Sequence, residues 1–190
     1  MDELRRELFL TFDDGPVPGP TEFVLETLKQ FNVHATFFCI GDNVQKYPHL
    51  AQQIVDDKHQ IGNHTFHHMN GWKANVEDYV SDTKECDQVI RSYSMNAGKK
   101  LFRPPYGRIT KKQIEQLDDY AIIMWDVLSI DYNKNLSREA CLRKTTKVTR
   151  AGSIIVFHDS LKAEKNLRYV LPRYIEKCLE DGYTFSPIKL

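Results

Sequence analysis

Two short segments concentrate side chains able to do hydrolytic chemistry. Thr11-Phe12-Asp13-Asp14-Gly15-Pro16 sends adjacent carboxylates out of an apolar run into a Gly-Pro turn. Neighbouring carboxylates repel unless a cation or a shared proton relieves them, so the pair points to a metal site or an acid–base site; an inert solvated turn is the alternative. His64-Thr65-Phe66-His67-His68 sets His64 and His68 four residues apart. One helical turn would put both imidazoles on one face, as a pair of ligands for a divalent ion. His67, three residues from His64, competes for that role, and a solvated histidine-rich loop is the plainer reading. Combined, Asp14, His64 and His68 predict one divalent-metal site, with zinc the first choice and cobalt or another divalent ion also accommodated. Asp13 is then left to act as general base on a water, and His158 is the candidate acid for the leaving group.

Short apolar runs and helical patterns alternate around these residues. The predicted strands are Leu8–Phe12, Ala35–Ile40, Gln60–Asn63, Leu101–Arg103, Ala121–Trp125, Ser153–Phe157 and Thr184–Ser186. The predicted helices are Thr21–Phe31, Pro48–Asp57, Asn75–Ser94, a short one opened by the capping box Thr110-Lys111-Lys112-Gln113, Ser137–Val148, and Asn166–Asp181 closed by Gly182. Strands alternating with helices predict an α/β fold with a parallel sheet and right-handed crossovers. A full eight-stranded barrel needs about 250 residues, and this chain has 190. A seven-stranded, distorted barrel of TIM type is therefore expected, with an open doubly wound sheet as its competitor. No linker or repeat interrupts residues 1–190, so a single domain is expected. The reactive residues follow strand ends, where β/α barrels place catalytic groups. Asp13 and Asp14 follow the first strand, and His64, His67 and His68 the third. Arg103 closes the fourth, Asp126 and Asp131 follow the fifth, and His158 and Asp159 the sixth.

Composition narrows the partners. Lys+Arg and Asp+Glu both number 26, for a formal net charge of zero, and no basic surplus points to nucleic acid or an acidic membrane. Cys39, Cys86, Cys141 and Cys178 form no C-x-x-C pair and read as free thiols. No apolar run approaches membrane-spanning length. The opening Met1-Asp2-Glu3-Leu4-Arg5-Arg6 does not read as a secretory signal, and a leader removed beforehand would leave the same sequence, so compartment and oligomeric state stay open. His34, His49 and His59 are expected at the surface. Trp72 and Tyr47 are candidate sugar platforms, for which packing is the plainer expectation.

In their order along the chain, the motifs resemble the polysaccharide deacetylase family, whose catalytic unit is the NodB homology domain (carbohydrate esterase family 4). The resemblance runs from Leu8 to Ile188 and implies the family's distorted (β/α)7 barrel. It implies that Asp13 is the catalytic base and Asp14 a metal ligand, and that His64 and His68, not His67, complete the ligand set. In Arg103-Pro104-Pro105-Tyr106-Gly107 it implies that Arg103 orients the base and that the Tyr106 backbone N–H helps hold the oxyanion. Pro104 and Trp125 fall with the substrate pocket. Asp131-Tyr132 is the nearest match to the family's Asp-Trp pair, with Asp131 as the partner of His158. Val156-Phe157-His158 stands against the family's L-x-H. Tyr132 and Val156 depart from the usual Trp and Leu of the acetyl-methyl pocket; both keep the wall largely apolar and leave pocket size and substrate preference open. The implied activity is metal-dependent removal of N-acetyl groups from an N-acetylated glycan of chitooligosaccharide or peptidoglycan type. Hydrolysis of O-acetyl esters on xylan, hydrolysis of another small amide, and a non-catalytic metal-stabilised glycan-binding module are the alternatives. Two histidines and one carboxylate also occur in non-haem iron oxygenases, against which the α/β pattern and the additional Asp13 and His158 argue.

Overall fold

The computed structural model describes residues 6–93, 98–188 and 190. Met1–Arg5 of the opening segment and Ser94, the last residue of one predicted helix, lie outside the described residues. The elements in order are β1 (Glu7–Asp13), α1 (Pro20–Phe31), β2 (Thr36–Cys39), α2 (Gly41–Lys46), α3 (Pro48–Asp56), β3 (Gln60–Asn63), α4 (Val76–Ile90) and β4 (Lys100–Phe102). A 3-10 turn (Pro105–Gly107) follows, then α5 (Lys111–Glu115), β5 (Tyr120–Ile122), β6 (Val127–Leu128), α6 (Arg138–Val148), β7 (Ile154–His158), α7 (Glu164–Glu180) and β8 (Thr184–Phe185). Local sequence sets many of these boundaries. Pro20 opens α1, and Asn32 closes it in the left-handed region at φ 53°. Asn75 and Ser137 cap α4 and α6, accepting from the N–H groups of Asp78 and Ala140. Thr110 and Gln113 form the reciprocal capping box of α5.

Every strand pair is parallel, in the order β5-β4-β3-β2-β1-β7-β6, with β8 pairing the first residues of β1. β5 and β6 stand at opposite ends of that order although only residues 123–126 separate them. Five steps of chain reach at most roughly 18 Å, against roughly 29 Å across seven strands laid flat. The sheet must therefore curl until its ends meet. The link touches both ends: the Ile123 N–H donates to the Phe102 carbonyl (2.8 Å) and the Asp126 N–H to the Ile154 carbonyl (3.3 Å). The result is the distorted β/α barrel expected from sequence. Two short elements were not expected. β6 is only two residues long, and α2 is a six-residue helix immediately after β2.

Alternation along the strands builds two apolar layers. Leu8, Leu10 and Phe12 of β1, Phe37 of β2, and Ile155 and Phe157 of β7 pack outward against the buried stripes of α1 (Val24, Leu28) and α7 (Leu167, Val170, Leu171, Ile175). Phe38 and Leu101, with Phe9, Ile123, Ile154 and the C-terminal Ile188, form a separate cluster inside the barrel. Each such side chain contributes about 1.5–3 kcal/mol when fully buried. One expectation about the surface fails at His59, which is buried. Its Nδ1 accepts from the Ala35 N–H at 3.2 Å, and burial, aided by His34, pushes its pKa down to about 4. Among the described residues no helix is long and apolar enough to cross a membrane.

Candidate active site

The polar groups sit on top of the interior cluster, at the C-terminal ends of the strands. Val156 and His158 of β7 pair in register with Thr11 and Asp13 of β1, and residues two apart in a strand share a face. Arg103, just past β4, is completely buried and spans this layer. Its guanidinium lies 4.1 Å from the centroid of the Phe38 ring. Nε donates to the Ile123 carbonyl (3.1 Å), and Nη1 donates to Thr11 Oγ1 (2.7 Å) and Asp13 Oδ1 (2.7 Å). The cation is thus fixed to the closing link of the barrel on one side and to Asp13 on the other, leaving Oδ2 of Asp13 as the oxygen that can face a ligand.

On the neighbouring strand, His158 makes two contacts with Asp131. Its N–H donates to Oδ2 (2.9 Å) and its Nδ1 lies 2.7 Å from Oδ1. Burial works against the charged imidazole, but the charge and hydrogen bond of Asp131, joined by Asp14 and Asp13, lift its pKa to about 9. With Nδ1–H committed to Asp131, the second proton sits on Nε2. Asp131 is itself held by Asn166, whose side-chain amide donates to the Asp131 carbonyl at 2.9 Å. Tyr132 meets the His158 ring edge-on at 4.9 Å.

Asp14, His64 and His68 converge beside these two pairs, and their candidate ligand atoms all lie within 4.8 Å of one another. Asp14 Oδ1 is 3.7 Å from Nε2 of His64 and 3.2 Å from Nε2 of His68. His64 Nδ1 lies 2.7 Å from the Arg103 carbonyl, an acceptor only, so its proton is on Nδ1 and the Nε2 lone pair faces Asp14. Burial, outweighing the nearby carboxylates, pushes the His64 pKa down to about 4 and keeps that ring neutral. Burial also opposes ionisation of Asp14, but the His68 hydrogen bond and the charges of His158, His64 and His68 hold it well below the ordinary carboxylate range. One carboxylate and two imidazole nitrogens are a donor set that suits a zinc-type ion and leaves positions for water and substrate.

The route by which the imidazoles converge differs from the expected helical turn. Residues 64–70 form an irregular loop, with Thr65 and His68 in the left-handed region at φ 62° and 55°. Its N–H groups do not find carbonyls four residues back. Asp82 of α4 takes two of them, from Phe66 (2.9 Å) and His67 (3.1 Å), and its other oxygen lies 2.5 Å from His67 Nδ1. His67 is thereby turned away from Asp14. The unpredicted α2 holds the other side of the loop: the N–H groups of Gly41 and Asp42 donate to the carbonyls of Thr65 and Phe66. Asn43, on the same helix, donates to the Asp14 carbonyl (2.8 Å), supporting a backbone at φ 80°. Asp159 supports the carboxylate turn from below, accepting from the Gly15 N–H (3.1 Å) and the Thr21 hydroxyl (2.6 Å); burial pushes its pKa up to about 8. The approach is so close that a Cβ on Gly15 would lie 1.9 Å from Asp159 Oδ2. Asn43, Asp82 and Asn166 carried no signal in the sequence, because each acts on residues far along the chain.

The remaining predicted site residues divide. Tyr106 is exposed, left-handed at φ 61°, and its ring centroid lies 4.6 Å from that of His68 with the planes tilted by 57°; its N–H meets no acceptor among the described residues. Pro104 is buried between Arg103 and the 3-10 turn. Trp125 approaches Gly107 and has the Arg103 guanidinium 5.7 Å from its ring centroid. Val156 is buried two residues before His158. Asp126 is a correction. It immediately precedes β6, and its carboxylate accepts from the Ile154 N–H and Ser153 hydroxyl at the start of β7, the opposite end of the barrel. A fifth strand running to Trp125 had placed it on the catalytic face; the short β6 reverses that. Trp72 is 65% exposed with the Arg108 guanidinium over its ring, so it is not core.

A curled parallel β/α barrel carrying a carboxylate and two imidazoles beside a buried Asp–Arg and a buried His–Asp pair defines a class of hydrolase-like scaffold. The family model for polysaccharide deacetylase matches residues 2–125, and the chain belongs to that family. It is 34% identical over 158 residues to a peptidoglycan-N-acetylglucosamine deacetylase of Bacillus cereus, an alignment covering 82% of this chain and 57% of that protein. It is 28% identical over 186 residues to the peptidoglycan-N-acetylmuramic acid deacetylase PdaC of Bacillus subtilis, covering 96% of this chain and 38% of that protein. The chain thus spans little more than half of one relative and well under half of the other. In three dimensions it resembles the Bc1960 peptidoglycan N-acetylglucosamine deacetylase, crystallised with 4-naphthalen-1-yl-N-oxidanyl-benzamide, with a TM-score of 0.90 at 30% identity, covering 97% of this chain and 86% of that one.

Proposed function

We propose that this chain is a metal-dependent deacetylase that hydrolyses the acetamido group of an N-acetylated glycan, peptidoglycan first among them. The observation that carries the reading is the meeting, at one end of the barrel, of the Asp14–His64–His68 donor set with Asp13 on Arg103 and His158 on Asp131. The relatives named above support the choice of glycan.

Asp14, His64 and His68 would hold the ion, which when bound polarises an amide carbonyl and acidifies water. Asp13 takes a proton from the attacking water on Oδ2, because Oδ1 is committed to Arg103. The free N–H of Tyr106 donates to the oxyanion of the tetrahedral intermediate. His158 passes its Nε2 proton to the departing amine nitrogen as the C–N bond breaks, while Asp131 holds Nδ1–H and the ring orientation. The products are acetate and the free amino sugar. Tyr132 and Val156 form the apolar wall proposed for the acetyl methyl.

The test is acetate release by zinc- or cobalt-reconstituted protein from peptidoglycan fragments, chitooligosaccharides and acetylxylan. Release from the N-acetylated glycans, abolished by chelation and restored by metal, is expected. Release from acetylxylan alone would overturn the choice of bond, and binding without release at any metal load would overturn the enzyme reading.

A further inference from the structure

Zero net charge conceals a division along the chain. Residues 133–190 hold 12 of the 26 Lys and Arg but six of the 26 Asp and Glu, so they carry +6 and residues 1–132 carry −6. The fold gathers much of that surplus on one wall of the barrel. Arg143 and Lys147 lie one turn apart on the exposed side of α6, with Lys144 beside them, away from the buried Cys141 and Thr145. α7 runs alongside: the Arg138 and Arg173 guanidiniums lie 4.5 Å and 4.0 Å from the centroid of the Tyr169 ring, joining cations of both helices at their seam. At one end of the seam Lys134, Lys162 and Lys165 share with Arg138 the lining of one hollow. Of these eight exposed cations only Arg138 has an ion-pair partner among the described residues, Glu139 at 3.0 Å.

Helix stability does not explain the set. A helix favours cations in its last turn and acids in its first. That suits Lys147 at the end of α6, but not Lys162 and Lys165, which flank the N-terminus of α7. Uncompensated cations on one wall repel each other and hold a positive potential over it. The surroundings select the partner. A wall two helices wide is not a groove that tracks a single strand, and the rings among the cations offer no free stacking platform. Tyr132 and Tyr169 are half-buried and already faced by Lys162, Arg138 and Arg173. Lone apolar side chains stand at both ends, Val148 next to Lys147 (55% exposed) and Leu161 next to Lys162 (69% exposed). Cations flanking exposed apolar tips suit a bilayer surface, where head groups meet the charges and the tips enter the interface.

We infer that the α6–α7 wall is a docking face for a bilayer of acidic phospholipid. The inference goes beyond the deacetylase reading and does not depend on it. The strand ends that carry Asp14, His64 and His68 open at the end of the barrel, so a bilayer lying along its wall leaves them uncovered. Arg138 contributes less than the other cations, being paired with Glu139.

The experiment is sedimentation of the whole chain with vesicles of phosphatidylcholine alone and of equal parts phosphatidylcholine and phosphatidylglycerol. Binding to the mixed vesicles, none to phosphatidylcholine, and release by high salt are expected. The triple variant Arg143→Gln, Lys144→Gln, Lys147→Gln keeps good helix formers at exposed positions. Its partition onto mixed vesicles should fall about 100-fold, from about fivefold for each cation lost. A control triple, Lys29→Gln, Lys73→Gln, Lys112→Gln, removes the same charge from exposed positions elsewhere and should partition nearly as the unmodified protein does. Circular dichroism verifies that both triples fold. No binding to mixed vesicles, no loss in the first triple, or an equal loss in both would overturn the docking face. Binding to inorganic polyphosphate without binding to mixed vesicles would overturn it too, in favour of a linear polyanion. Acetate release from glycans tests the deacetylase reading separately from each of these outcomes.

Discussion

Asp13 and His158 are register partners on adjacent parallel strands, and each is clamped by a buried partner of opposite charge. Arg103 holds Asp13 at 2.7 Å and Asp131 holds His158 at 2.7 Å. In the proposed mechanism the first pair would keep a carboxylate in place as the proton acceptor and the second an imidazole charged as the proton donor, so that the two functions of a general acid–base mechanism would fall on neighbouring strands.

Asp13→Asn should retain the ion and lose turnover. The amide keeps an oxygen for Arg103 but cannot accept the proton, so kcat should fall by about 10²–10⁴, with metal content by elemental analysis unchanged. An undiminished rate would remove Asp13 as the base.

The alkaline limb of the pH–rate profile should follow His158. Its folded pKa is raised to about 9 from an ordinary 6.5, and the acid form is the active one, so rate is lost as pH rises through that region. A cation on Asp14 neutralises one of the supporting charges and brings the limb of the loaded enzyme below 9. Asp131→Asn removes the largest support and should move the limb further towards acid. The stability linkage has the same sign: a raised folded pKa gives a contribution complete below about pH 6.5 and lost as pH rises through about 9. Denaturation midpoints across that range should drop less in the Asp131→Asn variant.

His68→Ala should remove one of three donors and lower metal affinity by more than about 100-fold, beyond what an outer-shell change costs. Calorimetric titration with zinc measures it. Full occupancy at equal affinity would exclude His68 from the ligand set.

Asp82→Ala should act on the same ion without touching it. The two N–H groups its carboxylate accepts lie between His64 and His68 in sequence; the Phe66 N–H would keep the backbone carbonyl of residue 82 (3.2 Å), but the His67 N–H and ring would lose their acceptors and the loop would loosen. Metal affinity should fall about 10–100-fold, and Asp82→Asn, which retains an acceptor oxygen, should recover part of it.

Gly15→Ala should destabilise the protein through the carboxylate turn. Its Cβ would fall 1.9 Å from Asp159 Oδ2, and such overpacking costs about 1–3 kcal/mol, a drop of several degrees in the thermal midpoint. A midpoint equal to that of the unmodified protein would mean that Asp159 yields at no cost.

Much of the fold was legible because its signals are local. Runs such as Leu8–Phe12 and Ser153–Phe157 are long enough to read as buried strands, and Asn75, Ser137 and Thr110 announce helix starts through their own hydrogen bonds. β6 was not legible, because Val127–Leu128 exists as a strand only by pairing with Ile155 and Val156, and missing it misplaced Asp126. α2 was hidden for a related reason: six residues carry too little periodicity to stand out. The helical turn expected at His64–His68 failed because Asp82 and the N-terminus of α2 satisfy that loop's backbone instead.

The sequence by itself determined the kinds of groups available: adjacent carboxylates, two outer histidines, an arginine and a lone histidine, each following an apolar run, and with them the family. Only the tertiary structure decided which of those groups meet. Strand register set Asp13 against His158, barrel closure buried Arg103 between its partners, and α2, Asp82 and Asp159 aimed the side chains. The physical reason is range. Residue type and spacing act over a few bonds, whereas a site is assembled by hydrogen bonds and packing between distant segments, such as Gly15 and Asp159, 144 residues apart.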